Sequence, residues 1–268
     1  MNKKIIDWLI CQNEFGENLI LTRKDLALLD CVKKHAESLQ DKRTNFEKFQ
    51  SSSNLKNVQS QSYELESTAA KIEYTKVVSK STALLAELKN KICSFDGCTL
   101  KQIATNTVFA DGDPNSDIMF IGEAPGAEED KQGLPFVGKS GQLLNKMIES
   151  IGLKRSDVYI TNVVNWRPPG NRPPTMDEIN QCLPFLKQHI QLISPKILVL
   201  LGSTAMKAVL NTSKSLSVMR GAWHQYDAGN SVLDTIVTFH PSYLLRVPSQ
   251  KKLAWQDFLM IKDKLVEV

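Results

Sequence analysis

The chain has 268 residues, 42% hydrophobic and 23% charged, enough to bury a sizeable core as one large domain or as one domain with an appendage. Its net charge of +4 admits a polyanionic partner without demanding one. The N-terminal run MNKKIIDWLIC is interrupted by Asp7 and ended by Gln12, Asn13 and Glu14. ISPKILVLLGSTAMKAVL is broken by Lys196 and Lys207, so neither a secretory signal nor a membrane span is expected and the chain reads as cytoplasmic.

Residues 1–35 carry apolar positions at helix-compatible spacing (Ile5, Trp8, Leu9; then Leu26, Leu28, Leu29, Val32), whereas 36–82 are dominated by Ser, Gln, Lys, Asn and Glu. That second stretch reads as linker or loose helix, because it has too little apolar surface to offset the entropy of ordering. Residues 1–83 are therefore expected to form a helical segment with a polar linker, open to a protein partner, and residues 84–268 a separate globular domain. The globular pattern opens with the amphipathic LLAELKNKI.

Four short apolar runs then end in polar or glycine-rich turns: 118–126 (IMFIGEAPG), 158–172 (VYITNVVNWRPPGNR), 197–204 (ILVLLGST) and 235–242 (TIVTFHPS). Between and after them, 138–151, 177–193, 203–210 and 251–268 repeat apolar residues every three or four positions, as crossover helices do. Strands alternating with helices predict an α/β fold, a three-layer α/β/α sandwich around a mostly parallel four-stranded sheet with right-handed crossovers. Ligands of such sheets bind outside the carboxyl ends of the strands, so the four turns are expected to converge on one site. Since such a sheet hosts many chemistries, the fold alone names none.

GEAPGAEEDKQGLPFVGKSGQLL, YITNVVNWRPPGNR, LLGSTAMKAVL and TFHPSYLLR, in that order, resemble the motifs of the family 4 uracil-DNA glycosylases over roughly residues 84–268. Removing a base from DNA requires a base swung out of the stack, a pocket for its edge, stabilisation of the departing anion and a directed water. The resemblance implies Glu123 and His240 as catalytic residues. Glu123 would orient the water and stabilise a cationic sugar; His240 would donate a hydrogen bond to uracil O2 as charge develops, in a protonation state left open. Gly122 and Gly126 would let the main chain approach the base, Phe136 would stack on it, and Asn162 would read N3–H and O4 through its amide. Glu129 and Asp130 are weaker candidates, with a capping or solvated role expected.

Taken singly, each residue has an ordinary structural role open to it: surface carboxylate, core aromatic, strand-end amide or buried imidazole. The remaining motif residues, Pro135, Arg167, Arg172, Ser203 and Ser242, are expected to grip phosphates. Tyr243, Leu244, Leu245 and Arg246 are expected to press into the vacated base position.

The five cysteines (Cys11, Cys31, Cys93, Cys98, Cys182) are an odd number and suit reduced thiols or metal ligands better than a disulfide framework. Family members carry a [4Fe–4S] cluster on four cysteines. Here Cys98 and Cys182 stand at two of the ligand positions, but Phe95 and Trp166 occupy the other two. A cluster wants four thiolates, so no cofactor is expected, with Phe95 and Trp166 filling the space. The partner implied is uracil-containing DNA and the state a monomer. The leading expectation is a uracil-excising hydrolase; the alternative is a non-catalytic DNA-binding or tethering protein with a vestigial pocket. RPPGNRPPTMDEI lacks the basic inserted loop of uracil-trapping relatives.

Overall fold

The structure, a computed structural model, describes residues 82–266. The appendage expected over 1–83 lies, but for its last two positions, outside the described residues, as do the last two residues of the final predicted helix.

A helix over residues 82–94 (α1) buries Leu85, Leu88 and Ile92, three- and four-residue spacing on one face. After the single turn α2 (Leu100–Ile103) come β1 (Asp111–Gly112), β2 (Ile118–Gly122), α3 (Ala127–Gln132), α4 (Lys139–Ser150) and β3 (Tyr159–Asn162). The second half comprises α5 (Met176–Ile193), β4 (Ile197–Leu201), α6 (Gly202–Leu210), α7 (Leu216–Met219), β5 (Trp223–Asp227), β6 (Val232–Thr238), α8 (Pro241–Arg246) and α9 (Lys251–Leu265).

Strand order in the sheet is β1-β3-β2-β4-β6-β5, with β3, β2, β4 and β6 parallel. Those four are the expected ones. The sheet nevertheless has six strands rather than four, because β1 and β5 add antiparallel edges. Two residues, Asp111 and Gly112, carry no periodic signal, and WHQYD in β5 offers no apolar alternation. Edge strands with a solvated side escape a reading built on buried apolar runs.

Every residue of β2, β3 and β4 is buried, as parallel strands covered on both faces must be. Side-chain alternation divides them. Met119, Ile121, Leu198 and Leu200 join a core with Leu88, Ile92, Leu186, Ile190 and Met206 from α1, α5 and α6. Phe120 points to the opposite face and stacks on Phe258 of α9, ring centroids 6.1 Å apart. Burying one such ring is worth about 1.5–3 kcal/mol. Among the described residues no helix is long and apolar enough to cross a membrane.

Candidate active site

The chain leaves β2 for β3 on one side, whereas β4 flanks β2 on the other, so the crevice beyond their carboxyl ends lies at a topological switch point. Register aligns the site there: Gly122 pairs with Asn162, and Leu201 pairs with Thr238, two residues before His240. Glu123, the first residue after β2, accepts a 2.5 Å hydrogen bond from Thr204 Oγ1 in the first turn of α6.

Three site residues meet at Gly122. A Cβ there would lie 2.4 Å from Asn162 Oδ1 and 2.5 Å from Phe136 Cζ, so only glycine lets the amide and the ring close around the strand end. Asn162 is 3% exposed, and its Oδ1 is buried with no hydrogen-bond partner. An acceptor left in that state costs about 1–3 kcal/mol, a cost that a ligand N–H would remove.

Phe136 is buried at φ 52°, left-handed backbone that a bulky side chain seldom adopts and that costs on the order of 1–3 kcal/mol. Its ring lies 5.6 Å from the His240 ring at 31°. Glu129 fastens the loops on either side: its carboxylate accepts from the amides of Gly126 (3.1 Å), Val137 (2.9 Å) and Gly138 (2.8 Å). Asp130 likewise accepts from the amides of Thr105 and Asn106. Glu129 thus has the helix-capping role expected of it, whereas Asp130, neither capping nor solvated, is buried and ties down the loop at 105–106.

His240 caps the N-terminus of α8 with Pro241 in the first helical position, which pre-sets the backbone. Its Nδ1 accepts from the Ser242 amide (3.1 Å) and faces the Ser242 hydroxyl at 2.8 Å. A backbone amide can only donate, so Nδ1 is the acceptor nitrogen and the neutral ring carries its proton on Nε2. Burial, reinforced by the nearby Arg246 and opposed by Glu129, lowers the imidazole to about 4. The ring is therefore a neutral Nε2–H donor at physiological pH. Gly202, at φ +91°, leaves it room: a Cβ there would sit 3.0 Å from the His240 Cβ.

The expected grip residues divide. Ser203 is exposed at the start of α6, and Arg246 and Leu245 are exposed on α8, Leu245 at 44%. Arg167 is half-buried, its Nε bonded to Asn171 Oδ1 at 2.8 Å. Pro135 is buried, and Ser242 spends its hydroxyl on His240 rather than projecting it outward. Leu244, expected to press into DNA, is 1% exposed: the short α8 turns it inward, and of the two leucines only Leu245 faces solvent.

Arg172 is exposed, and within the fold it is already paired. Its guanidinium pairs bidentately at 2.9 and 2.6 Å with Glu178, which with Thr175 forms the capping box of α5. The Arg172 hydrogen bond is the main cause that holds the Glu178 carboxyl at about 2 against an ordinary 4.5. A lowered carboxylate contributes stability above its unfolded value and loses it as pH falls toward 2. Arg172→Ala is expected to melt below the parent at pH 6, with the gap closing as the solution is acidified; thermal melts at both pH values check this.

Around Cys98 and Cys182, both fully buried, the Phe95 and Trp166 rings stack with centroids 6.4 Å apart, and Phe185 meets Phe95 edge-on at 5.0 Å. Trp166 is 1% exposed, and its Nε1 donates to Thr107 Oγ1 at 3.0 Å. Burial, with Cys98 alongside, pushes the Cys182 thiol up to about 12. Cys93 is exposed.

Sequence reasoning missed Thr204 and Arg155. Thr204 meets Glu123 across 81 residues, and Arg155 reaches the Phe136 loop from the turn before β3. No spacing rule signals either contact.

The model of the uracil DNA glycosylase superfamily matches residues 109–259. The chain is 41% identical over 184 residues to a type-4 uracil-DNA glycosylase of Sulfurisphaera tokodaii, a match covering 67% of this chain and 84% of the relative. It is 42% identical over 164 residues to one of Thermotoga maritima (61% and 84% covered) and 36% identical over 183 residues to one of Archaeoglobus fulgidus (67% and 92% covered).

Proposed function

The chain belongs to the type-4 uracil-DNA glycosylases of the uracil-DNA glycosylase superfamily, and we propose that it hydrolyses the N-glycosidic bond of a flipped-out deoxyuridine in DNA, releasing uracil and leaving an abasic site. The observation that carries this reading is the orphaned, buried Asn162 Oδ1 beside the Phe136 ring, an acceptor waiting for a ligand N–H. Uracil offers N3–H there, while cytosine presents a lone pair and leaves the acceptor unpaired. A site built around such a bond rejects the wrong base strongly.

In this mechanism Phe136 stacks on the extruded base while Asn162 holds its edge. As the C1′–N1 bond breaks, the electron pair passes to the uracil ring, and the Nε2–H of neutral His240 donates to O2 where negative charge accumulates. Glu123, held by Thr204, faces the sugar, whose oxocarbenium character its carboxylate stabilises. Water adds its oxygen to C1′ and gives up a proton, and the uracil anion is protonated on release. Ser203, Arg167, Arg172, Arg246 and Leu245 are exposed or half-buried groups that would meet the strand.

The reading includes no iron–sulfur cluster. It is supported by the donor set, two thiols where four thiolates are wanted, and by the aromatic pair filling the other two positions. Full-length protein incubated with an oligonucleotide bearing one deoxyuridine is expected to generate an alkali-sensitive site. Its absence would end the proposal, and stoichiometric iron and sulfide in anaerobically purified protein would end the cluster-free part of it.

A further inference from the structure

Phe136 holds its backbone in a left-handed conformation that its own side chain disfavours, so something outside the residue must impose it. Two elements with no place in the chemistry converge on that task. Gly141, in the first turn of α4, approaches so closely that a Cβ would fall 1.8 Å from the Phe136 carbonyl oxygen. Opposite it, Arg155 in the 3-10 turn Arg155–Asp157 spreads its guanidinium over the loop: Nη2 donates to Pro135 O at 2.6 Å, and Nη1 donates to Phe136 O at 3.1 Å and to Asn145 Oδ1 at 3.0 Å. Nε donates to Asp111 Oδ2 at 2.7 Å, which anchors the guanidinium to the edge strand β1.

We propose that Arg155, braced by Asp111, is a positioning residue for the base platform: it clamps two successive carbonyls, fixes the left-handed turn, and so sets the Phe136 ring against Gly122 and His240. The fork matters as much as the charge. A planar guanidinium offers donors in several fixed directions, whereas the ammonium of lysine is a compact charge on a flexible stem. Since the clamp grips main-chain oxygens, no change at position 136 itself can replace it. The inference also explains the two-residue β1: pairing Asp111 with Ile160 and Gly112 with Tyr159 holds the Asp111 carboxylate where Nε can reach it.

The proposal rests on reading Phe136 as the stacking platform, and the experiment has two arms so that the two can fail separately. In the first, 4-fluorophenylalanine placed at position 136 reports the ring by fluorine NMR without any reaction. One sharp line is expected in the parent, and a shifted or broadened line in Arg155→Met and in Arg155→Lys; an unchanged line in both variants overturns the clamp whatever the protein's activity. In the second, uracil release is measured for the parent, Arg155→Met, Phe136→Ala and the double variant. Arg155→Met is expected to raise KM roughly tenfold with kcat little changed, about the share of binding that one stacked base supplies. The double variant should be no worse than Phe136→Ala alone, because the set of the loop no longer matters to the base once the ring it positions is gone. Losses that multiply instead would mean that Arg155 acts elsewhere and overturn the proposal. If Arg155→Met does not fold, Arg155→Lys, which keeps the charge but loses the fork, takes its place in both arms.

Discussion

Asn162→Ala is expected to lose uracil excision by about 10²–10⁴ in kcat/KM while melting no lower than the parent. The two halves of that result have one cause. Asn162 Oδ1 is buried and unpartnered, so the folded protein carries an unpaid desolvation penalty at this atom. Truncation relieves that penalty, which offsets what is lost in packing at a 3% exposed position. In the reaction the same change removes one hydrogen bond to N3–H and one to O4, both to a base gathering negative charge. The bond to O4 is charge-assisted and worth about 1.5–3 kcal/mol, and losing the N3–H bond leaves a buried donor unpaired at about 1–3 kcal/mol, which together set the rate expected. Steady-state kinetics on a deoxyuridine oligonucleotide and thermal melts of the same preparations check both. A variant that is destabilised yet fully active would show that the amide is a structural strand end and remove it from base recognition.

The second large effect is expected at His240, where alanine should lower kcat by about 10²–10³, the usual loss when one aimed donor is removed from a developing oxyanion. The pH dependence of the parent discriminates more finely than the size of the loss. A histidine near its ordinary value would titrate in the middle of the physiological range. Burial lowers this one to about 4, and the Ser242 amide on Nδ1 fixes the proton of the neutral ring on Nε2. The active form is thus the neutral ring, present throughout pH 5–8, and kcat/KM should show no break near 6.5. The stability sign follows from the same shift. The unfolded chain takes up a proton near 6.5 that the folded chain refuses until about 4, so the His240 contribution to stability is complete above 6.5 and declines as pH falls toward 4. A clear inflection of kcat/KM near 6.5 that disappears in His240→Ala would sink the neutral-donor assignment.

Local pattern sufficed for a large part of this protein. Three of the four parallel strands stand within the predicted runs and the fourth, Val232–Thr238, overlaps its run but starts three residues earlier, while α4, α5, α6 and α9 begin within one residue of their predicted starts, because buried parallel strands and amphipathic crossover helices write their burial into apolar spacing. The turn rule likewise placed Glu123, Asn162 and His240 at strand ends, and the motif order pointed to the family that the comparisons support.

What pattern could not reach is whatever depends on which distant groups face each other. The antiparallel edges β1 and β5 take their pairing from neighbours, not from their own residues. Leu244 and Leu245 are identical in type and adjacent in the chain, yet a turn of α8 buries one and exposes the other. That Arg172, expected to grip phosphates, pairs with Glu178, and that Ser242, expected to do the same, turns its hydroxyl to His240, are also tertiary contacts. The tautomer of His240, the bracing of Glu123 by Thr204 and the left-handed turn of Phe136 under Arg155 are all contacts closed by the packed tertiary arrangement. Composition and periodicity decided which segments would be buried; direction, distance and desolvation, which exist only once those segments pack, decided what each polar group near the switch point can do.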